Sequence, residues 1–248
     1  MTNLVGSRSA QLKGHIGPHS IGIVPMGAIT PHGPHLPLET TTLIADECAR
    51  RTALELESKG VDCFVLPAVD FGIARLAQDF PGGITMRPGT MWALVEDLVL
   101  SLQQDGVRQL LLCNAHPEFE QVRVLRHLCV DYSARTDTDC QLLYPSGAPD
   151  FEPKFTEQDA FGGQLETSMM LAIAPQLVDW SMAQELEPVA LNLPTAIHGK
   201  NRSILQIGAQ AGYLGNPAAA SAQAGEAFLQ AWAQSLARGC ADAWPDLF

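Results

Sequence analysis

The chain has 248 residues, enough for one large α/β domain with a substantial core. Acidic side chains outnumber basic ones by 27 to 15, and the formal net charge of -12 disfavours nucleic acid or an anionic membrane surface as a partner. No apolar run approaches the roughly 20 residues of a membrane-spanning helix, and no signal peptide is visible at the N-terminus. We therefore expect a cytoplasmic protein that folds as a single domain over residues 1–248. The six cysteines lie among apolar residues without paired spacing, which is typical of reduced core thiols.

Strand and helix patterns alternate along the chain. Short apolar runs predict strands, and segments with apolar residues three and four positions apart predict helices. The predicted strands are 21–27, 63–69, 107–113 and 140–145. The predicted helices are 42–59 with Thr42 as N-cap, 91–105 with Thr90 as N-cap, 118–132, 164–175 and 219–237. This alternation predicts a three-layer α/β/α sandwich with a mainly parallel central sheet.

Polar segments follow the first and third predicted strands. The first, GAITPHGPHLPLETTT, carries His32 and His35 among prolines, and the second, CNAHPEFE, carries His116 and Glu118. Sites in parallel sheets form beyond the carboxyl ends of the strands, which makes these two segments the first candidates. Imidazole and carboxylate together suit Zn²⁺ or Mn²⁺. The alternative is that His116 and Glu118 only cap the helix that follows, and the residues alone leave both interpretations open.

These motifs resemble those of the creatininase (creatinine amidohydrolase) family. That family opens with a pattern close to G-S-x-E-Q-H-G-P-H-L-P-L-G-T-D, which this chain matches in HGPHLPL (32–38). The family motifs F-P-G-T, N-G-H-x-E-N and E-T-S follow in the same order, as FPGG (80–83), NAHPEF (114–119) and ETS (166–168). The resemblance implies a creatininase-like α/β domain, often a hexamer, that hydrolyses a C–N bond of a small molecule with two divalent metals.

The resemblance also identifies missing metal ligands. His32, His116 and Glu118 fall on ligands of the family, but Thr30 and Thr41 replace a Glu and a bridging Asp. Two divalent ions roughly 3.5–4 Å apart repel strongly without a bridging carboxylate. We therefore expect at most one divalent metal, Zn or Mn, held by His32, His116 and Glu118, and a metal-free site is the alternative.

Further polar positions of the family pattern carry apolar or small residues here. A Glu-His pair falls on Leu76 and Ala77, and H-A-G-E reads FGGQ at 161–164. Two functions therefore stay open. One is a creatininase-like amidohydrolase that acts on a C–N bond of a small cyclic amide or related substrate, by hydrolysis or the reverse ring closure. The other is an altered or inactive homologue, either a metal-free acid-base enzyme or a protein that binds a small molecule or a partner.

Several side chains are candidates for specific roles. His116, Glu118 and Glu166 are the catalytic candidates, with one of the two glutamates moving the proton; Glu166 alternatively only favours the helix dipole. The substrate-binding candidates are His35, Glu39 and His198. His35 could instead hydrogen-bond the loop, and Glu39 could be a displaced ligand or a solvated loop charge. His198 lies near Lys200 and Arg202, and this cluster could bind an acidic substrate group.

Overall fold

The computed structural model describes residues 2–4, 6–145, 159–191 and 203–248. These residues contain a five-stranded sheet with the order β1-β3-β2-β4-β5, in which every neighbouring pair is parallel. The strands are β1 (Thr2–Asn3), β2 (Ile21–Met26), β3 (Cys63–Val65), β4 (Gln109–Asn114) and β5 (Gln141–Leu143). The parallel sheet predicted from the sequence is confirmed.

The described helices overlap the five predicted segments, but two of them begin earlier and the last begins later than expected, and two short helices were not predicted. The helices are α1 (Ser9–Leu12), α2 (Thr40–Glu57), α3 (Pro88–Gln104), α4 (Phe119–Ala134), α5 (Gln164–Ile173), α6 (Trp180–Glu185) and α7 (Ala222–Ala243). Glu39, not Thr42, is the N-cap of α2. Arg87, not Thr90, is the N-cap of α3, because Pro88 takes the first helical position, where its missing N–H costs nothing. None of these helices has the length and apolar character needed to cross a membrane.

Alternate residues of β2 point to opposite faces of the sheet and divide the core in two. Ile21 and Ile23 pack with buried residues of α2, α5 and α7. Val24 and Met26 pack with buried residues of α3 and α4. Both faces of the parallel sheet are thus covered by helices, and the fold is the predicted three-layer sandwich. All six cysteines are free, and five of them are buried.

The carboxyl ends of β2 and β4 lie side by side. Met26 pairs with Asn114, the last residue of β4, so the loops that follow the two strands leave the sheet at the same edge. Gly27 lets α2 start close to the end of β2. A Cβ at this position would lie 2.4 Å from the backbone nitrogen of Thr42, so only glycine fits. The two candidate loops therefore meet at one edge of the sheet.

Candidate active site

A buried imidazole and carboxylate join the loop after β2 to helix α5. His32 Nδ1 lies 2.9 Å from Glu166 Oε2, and the side chains are 0% and 1% exposed. The amide of Gly162 donates to the same oxygen at 2.5 Å. Burial by itself raises the pKa of Glu166. His32 and the Gly162 amide lower this pKa by more than burial raises it, so the net shift is downwards. The ionised carboxylate accepts a hydrogen bond, so a neutral His32 carries its proton on Nδ1 and a lone pair on Nε2.

His35 makes a second contact between the same two segments. Its Nε2 lies 2.8 Å from Thr167 Oγ1, and that hydroxyl donates to the carbonyl of Gly162 at 3.2 Å. The ring also meets Tyr213 edge-on, with 6.3 Å between the ring centroids. Burial lowers the pKa of His35 to about 4, so the ring is neutral at physiological pH. This bonding supports the structural interpretation of His35, in which it fixes the loop to α5.

His116 is fully buried after β4 and is held in one tautomer. Its Nε2 lies 3.0 Å from the carbonyl oxygen of Ile73, which only accepts, so Nε2 carries the proton. Burial lowers the pKa of His116 to about 3. Asn114 Nδ2 donates to the carbonyl of His116 at 2.8 Å, and Gln121 Nε2 donates to Asn114 Oδ1 at 2.8 Å. The lone pair of His116 is therefore on Nδ1, which has no hydrogen-bond partner.

The carboxylate of Glu118 is bonded to a neighbouring loop. Its Oε2 accepts the amide of Leu76 at 3.0 Å. Burial raises the pKa of Glu118 to about 7. Glu118 is the N-cap residue of α4, but its side chain makes no capping hydrogen bond. Glu118 thus lies at the N-terminus of α4, as the capping alternative requires, but its carboxyl group bonds the neighbouring loop instead of the helix amides.

Phe161 contacts both imidazoles that carry a free nitrogen. Its ring centroid lies 6.4 Å from that of His32, stacked at 29°, and 6.4 Å from that of His116, edge-on at 80°. Its side chain is 1% exposed. Its φ of 53° is the only positive φ of a non-glycine residue in the described part of the chain. The sequence indicated only that a family histidine was missing at this position.

Two further residues of the site have contacts that no local sequence signal indicates. Gln121 is completely buried and ties three segments together, since its Oε1 accepts the amide of Ile73 at 2.7 Å and its Nε2 also donates to Gly27 at 3.2 Å. A glutamine in an amphipathic helix gives no hint of such a role. Thr167 was part of the E-T-S motif, but its bond to His35 spans 132 residues.

Glu39 and His198 are the remaining candidates. Glu39 is exposed at the start of α2 and makes no capping bond through its side chain, which agrees with the loop-charge alternative. His198 lies outside the described residues, together with Lys200 and Arg202. Both residues remain predictions as substrate contacts.

The fold and these contacts define a three-layer α/β protein in which buried imidazole and carboxylate side chains meet near the carboxyl ends of the central parallel strands. The chain belongs to the creatininase family, since the family model described as creatinine amidohydrolase matches residues 7–240. The members of this family act on C–N bonds, and the relatives that follow are named as hydrolases.

Three similarities illustrate this membership. A mycofactocin precursor peptide peptidase of Mycolicibacterium smegmatis is 27% identical over 223 residues, covering 89% of this chain and 82% of the relative. A creatinine amidohydrolase of Pseudomonas putida is 26% identical over 181 residues, covering 63% of this chain and 65% of the relative. The crystal structure of a putative creatinine amidohydrolase from Bacteroides fragilis has a TM-score of 0.77 and 29% identity, covering 100% and 98% of the two chains.

Creatininases that share this fold have been solved in a manganese form and in a zinc-zinc form. The residues described here do not fit such a pair of ions. Thr30 and Thr41 stand where carboxylates are needed, and the Thr41 hydroxyl is bonded to Ala28, accepting from its amide at 3.1 Å. No three His, Cys, Asp or Glu side chains in the described ranges are grouped so as to hold a metal ion.

Two imidazole nitrogens of the expected single-metal set are free. His32 Nε2 and His116 Nδ1 are buried without a partner, whereas Glu118 is bonded to the Leu76 amide. Two nitrogens are fewer than the three protein ligands of a catalytic zinc. A single ion on His32, His116 and Glu118 remains a prediction, and it requires Glu118 to leave its present partner.

Proposed function

We propose that this protein hydrolyses the amide C–N bond of a small molecule, with His32 as the group that accepts and returns the proton. The observation that carries the proposal is the bond from His32 Nδ1 to the ionised, buried carboxylate of Glu166. This bond fixes the tautomer of the ring and leaves a lone pair on Nε2. Membership of a C–N hydrolase family supports the same reaction.

The reaction uses the two nitrogens of His32 in different ways. Nε2 takes a proton from water while the water oxygen attacks the carbonyl carbon of the amide. When the C–N bond breaks, Nε2 returns this proton to the departing nitrogen, so one water is added and no net proton is consumed. Between these steps the ring is positively charged, and Glu166 stabilises that charge. Glu118, whose pKa is raised to about 7 by burial, is a second group able to exchange a proton near neutral pH.

The test is a turnover assay on a small panel. Creatinine, hydantoin and a short synthetic peptide are incubated with the protein, and the gain of one water is followed by mass spectrometry. We expect His32→Gln to lower the rate on any converted compound by about 10²–10⁴-fold, because the general base is lost. Glu166→Gln lowers the rate less, since the amide oxygen still orients the ring.

Glu226→Gln is the matched control. Glu226 is exposed and pairs with Arg51 at 2.6 Å, so the control makes the same Glu-to-Gln change as Glu166→Gln at a position outside the His32 contacts and leaves the rate unchanged. Two results would contradict the proposal: no conversion of any panel member by the wild type, or equal rates for the wild type and His32→Gln.

Peptide processing is the second candidate for the substrate. Its support is the likeness to the mycofactocin precursor peptide peptidase over 89% of this chain. Conversion of the peptide alone in the panel would favour it, and conversion of the cyclic amides alone would favour the small-molecule substrate. Metal analysis of the same preparations tests the single-ion prediction separately.

A further inference from the structure

A buried apolar cluster adjoins the two histidines. Its members pack together and are Leu76, Ala77, Ala160, Phe161, Ile204, Ala209 and Leu214. Three of them, Leu76, Ala77 and Phe161, occupy positions where the family pattern is polar. Ala77 and Phe161 are 84 residues apart in the sequence, yet both belong to this one apolar cluster.

Phe161 is the member of this apolar cluster that reaches both imidazoles. The rings of His32 and His116 each lie 6.4 Å from it, and each imidazole has a buried nitrogen without a partner. A neutral imidazole nitrogen is the ligand type that zinc and manganese accept. A phenyl ring supplies no ligand, and the apolar residues around it supply none either.

The backbone of Phe161 is also in an unfavourable conformation. At a positive φ, Asn, Asp and His are several-fold enriched over other residues that carry a side chain, whereas Phe is not. Strained residues persist when the surrounding structure requires them, and they cluster at functional sites. A histidine would suit this backbone better, which indicates that the phenyl ring itself is what the position requires.

We propose that Phe161 excludes divalent metal from the His32 and His116 pair. Its ring stands where the family pattern has a histidine and lies against both imidazoles, so the pair lacks a third nitrogen, and the apolar cluster around the ring supplies no other ligand. The proposal selects the metal-free alternative over the single ion on His32, His116 and Glu118. It goes beyond the hydrolysis proposed above, because it concerns bound metal and is measured without turnover.

The experiment compares zinc and manganese binding by the intact wild-type chain and by Phe161→His. Each protein is dialysed to equilibrium against the metal, and bound metal per chain is measured by mass spectrometry. We expect no stoichiometric metal in the wild type and about one zinc per chain in Phe161→His, because the new imidazole completes a set of three nitrogens. The double variant Phe161→His/His116→Ala loses this zinc.

Phe228→His is the matched control. Phe228 is a partly buried residue of α7, on the opposite face of the sheet from α3 and α4, so the control adds the same side chain at another partly apolar position. It should bind no more zinc than the wild type does. Circular dichroism and thermal unfolding establish that each variant is folded before its metal content is compared.

Two results would overturn the proposal. One is about one zinc per wild-type chain that is lost in His32→Ala, since the ring would then exclude nothing. The other is a folded Phe161→His that binds no more zinc than Phe228→His. If Phe161→His does not fold, Phe161→Asn provides the same test, since Asn also tolerates a positive φ and offers a carbonyl oxygen as ligand. A folded Phe161→Asn without added zinc binding likewise overturns the proposal.

Discussion

Glu166 is ionised in a position where burial alone would favour its neutral form. Its carboxylate is fully buried, yet its pKa is lowered because His32 and the Gly162 amide stabilise the charge more than burial opposes it. A buried charge of this kind depends on its partners, and removing one side of such a pair is costly. His32 and Glu166 are therefore coupled in stability as well as in the proposed reaction.

Glu166→Gln tests this coupling through stability. The change should lower the free energy of unfolding at neutral pH by about 1–3 kcal/mol, because a hydrogen bond to a charged group is lost. The pKa of Glu166 is lower in the folded chain than in the unfolded chain. Its stabilisation is thus present above the unfolded pKa and is lost as pH falls through the folded pKa. Urea unfolding at neutral and acidic pH should show a shallower acid decline in the variant; identical curves would contradict the coupling.

Asp159→Asn tests a carboxyl with the opposite shift. Burial, and then the charge of Glu166, raise the pKa of Asp159 to about 7. The folded chain therefore holds this proton more tightly than the unfolded chain does. Stability should fall as pH rises from the ordinary aspartate range to about 7. The raised pKa of Glu118 also makes stability fall as pH rises. The effect of Asp159 is therefore given by the difference in free energy of unfolding between the wild type and Asp159→Asn.

Urea unfolding at closely spaced pH values measures that difference. The free energy of unfolding of Asp159→Asn, relative to that of the wild type, should rise by roughly 1 kcal/mol or more from acidic to neutral pH, because the amide does not ionise. Its oxygen can still accept the Leu165 amide, now 3.3 Å from the carboxylate. A constant offset between the two proteins at every pH would count against a raised pKa at Asp159.

Helices and strands were predictable where the apolar pattern is local, and less so at their ends. Because threonine is a good N-cap, the sequence predicts the start of α2 two residues too late. The hydroxyl of Thr40 is instead bonded to the carbonyl of Pro37, and the helix begins there. His32 was identifiable from its motif. Its partner Glu166 lies 134 residues away, and no local pattern encodes a contact of that range.

The packing of α7 on α5 depends on a glycine. A Cβ at Gly225 would lie 1.9 Å from the carbonyl oxygen of Ser168, so Gly225→Ala must push the two helices apart. We expect it to lower the free energy of unfolding by about 1–3 kcal/mol or more. It should also disturb α5, which carries Glu166. Chemical unfolding measures the loss.

Gly239→Ala, in the same helix, is the matched control with the opposite expected sign. A Cβ there would meet only Pro145, at an ordinary 3.5 Å. Alanine is a better helix former than glycine, so Gly239→Ala should raise the free energy of unfolding by about 0.5–1 kcal/mol. Equal effects of the two substitutions would mean that close helix packing is not what Gly225 provides.

At the scale of the molecule, the edge strands of the sheet are short, and the α3 and α4 layer exposes several apolar side chains. The edge strands β1 and β5 have 2 and 3 residues, which limits pairing with another sheet. On the α3 and α4 layer, Leu100 is 51% exposed, Phe119 47% and Val130 66%. We propose that this layer, and not an edge strand, forms an interface of the homo-oligomer, often a hexamer in the family, that the resemblance implies.

Light scattering during size-exclusion chromatography tests this assembly. We expect the wild type to exceed the chain mass of 26.7 kDa by a whole-number factor. The double variant Leu100→Lys/Val130→Lys should have a lower mass, because charge on a buried apolar interface is costly to desolvate. Leu54→Lys on α2, where the leucine is also 51% exposed, places a lysine on the other layer and should keep the wild-type mass. A wild type of 26.7 kDa would refute the assembly, and a mass lowered only by Leu54→Lys would move the interface to the α2 layer.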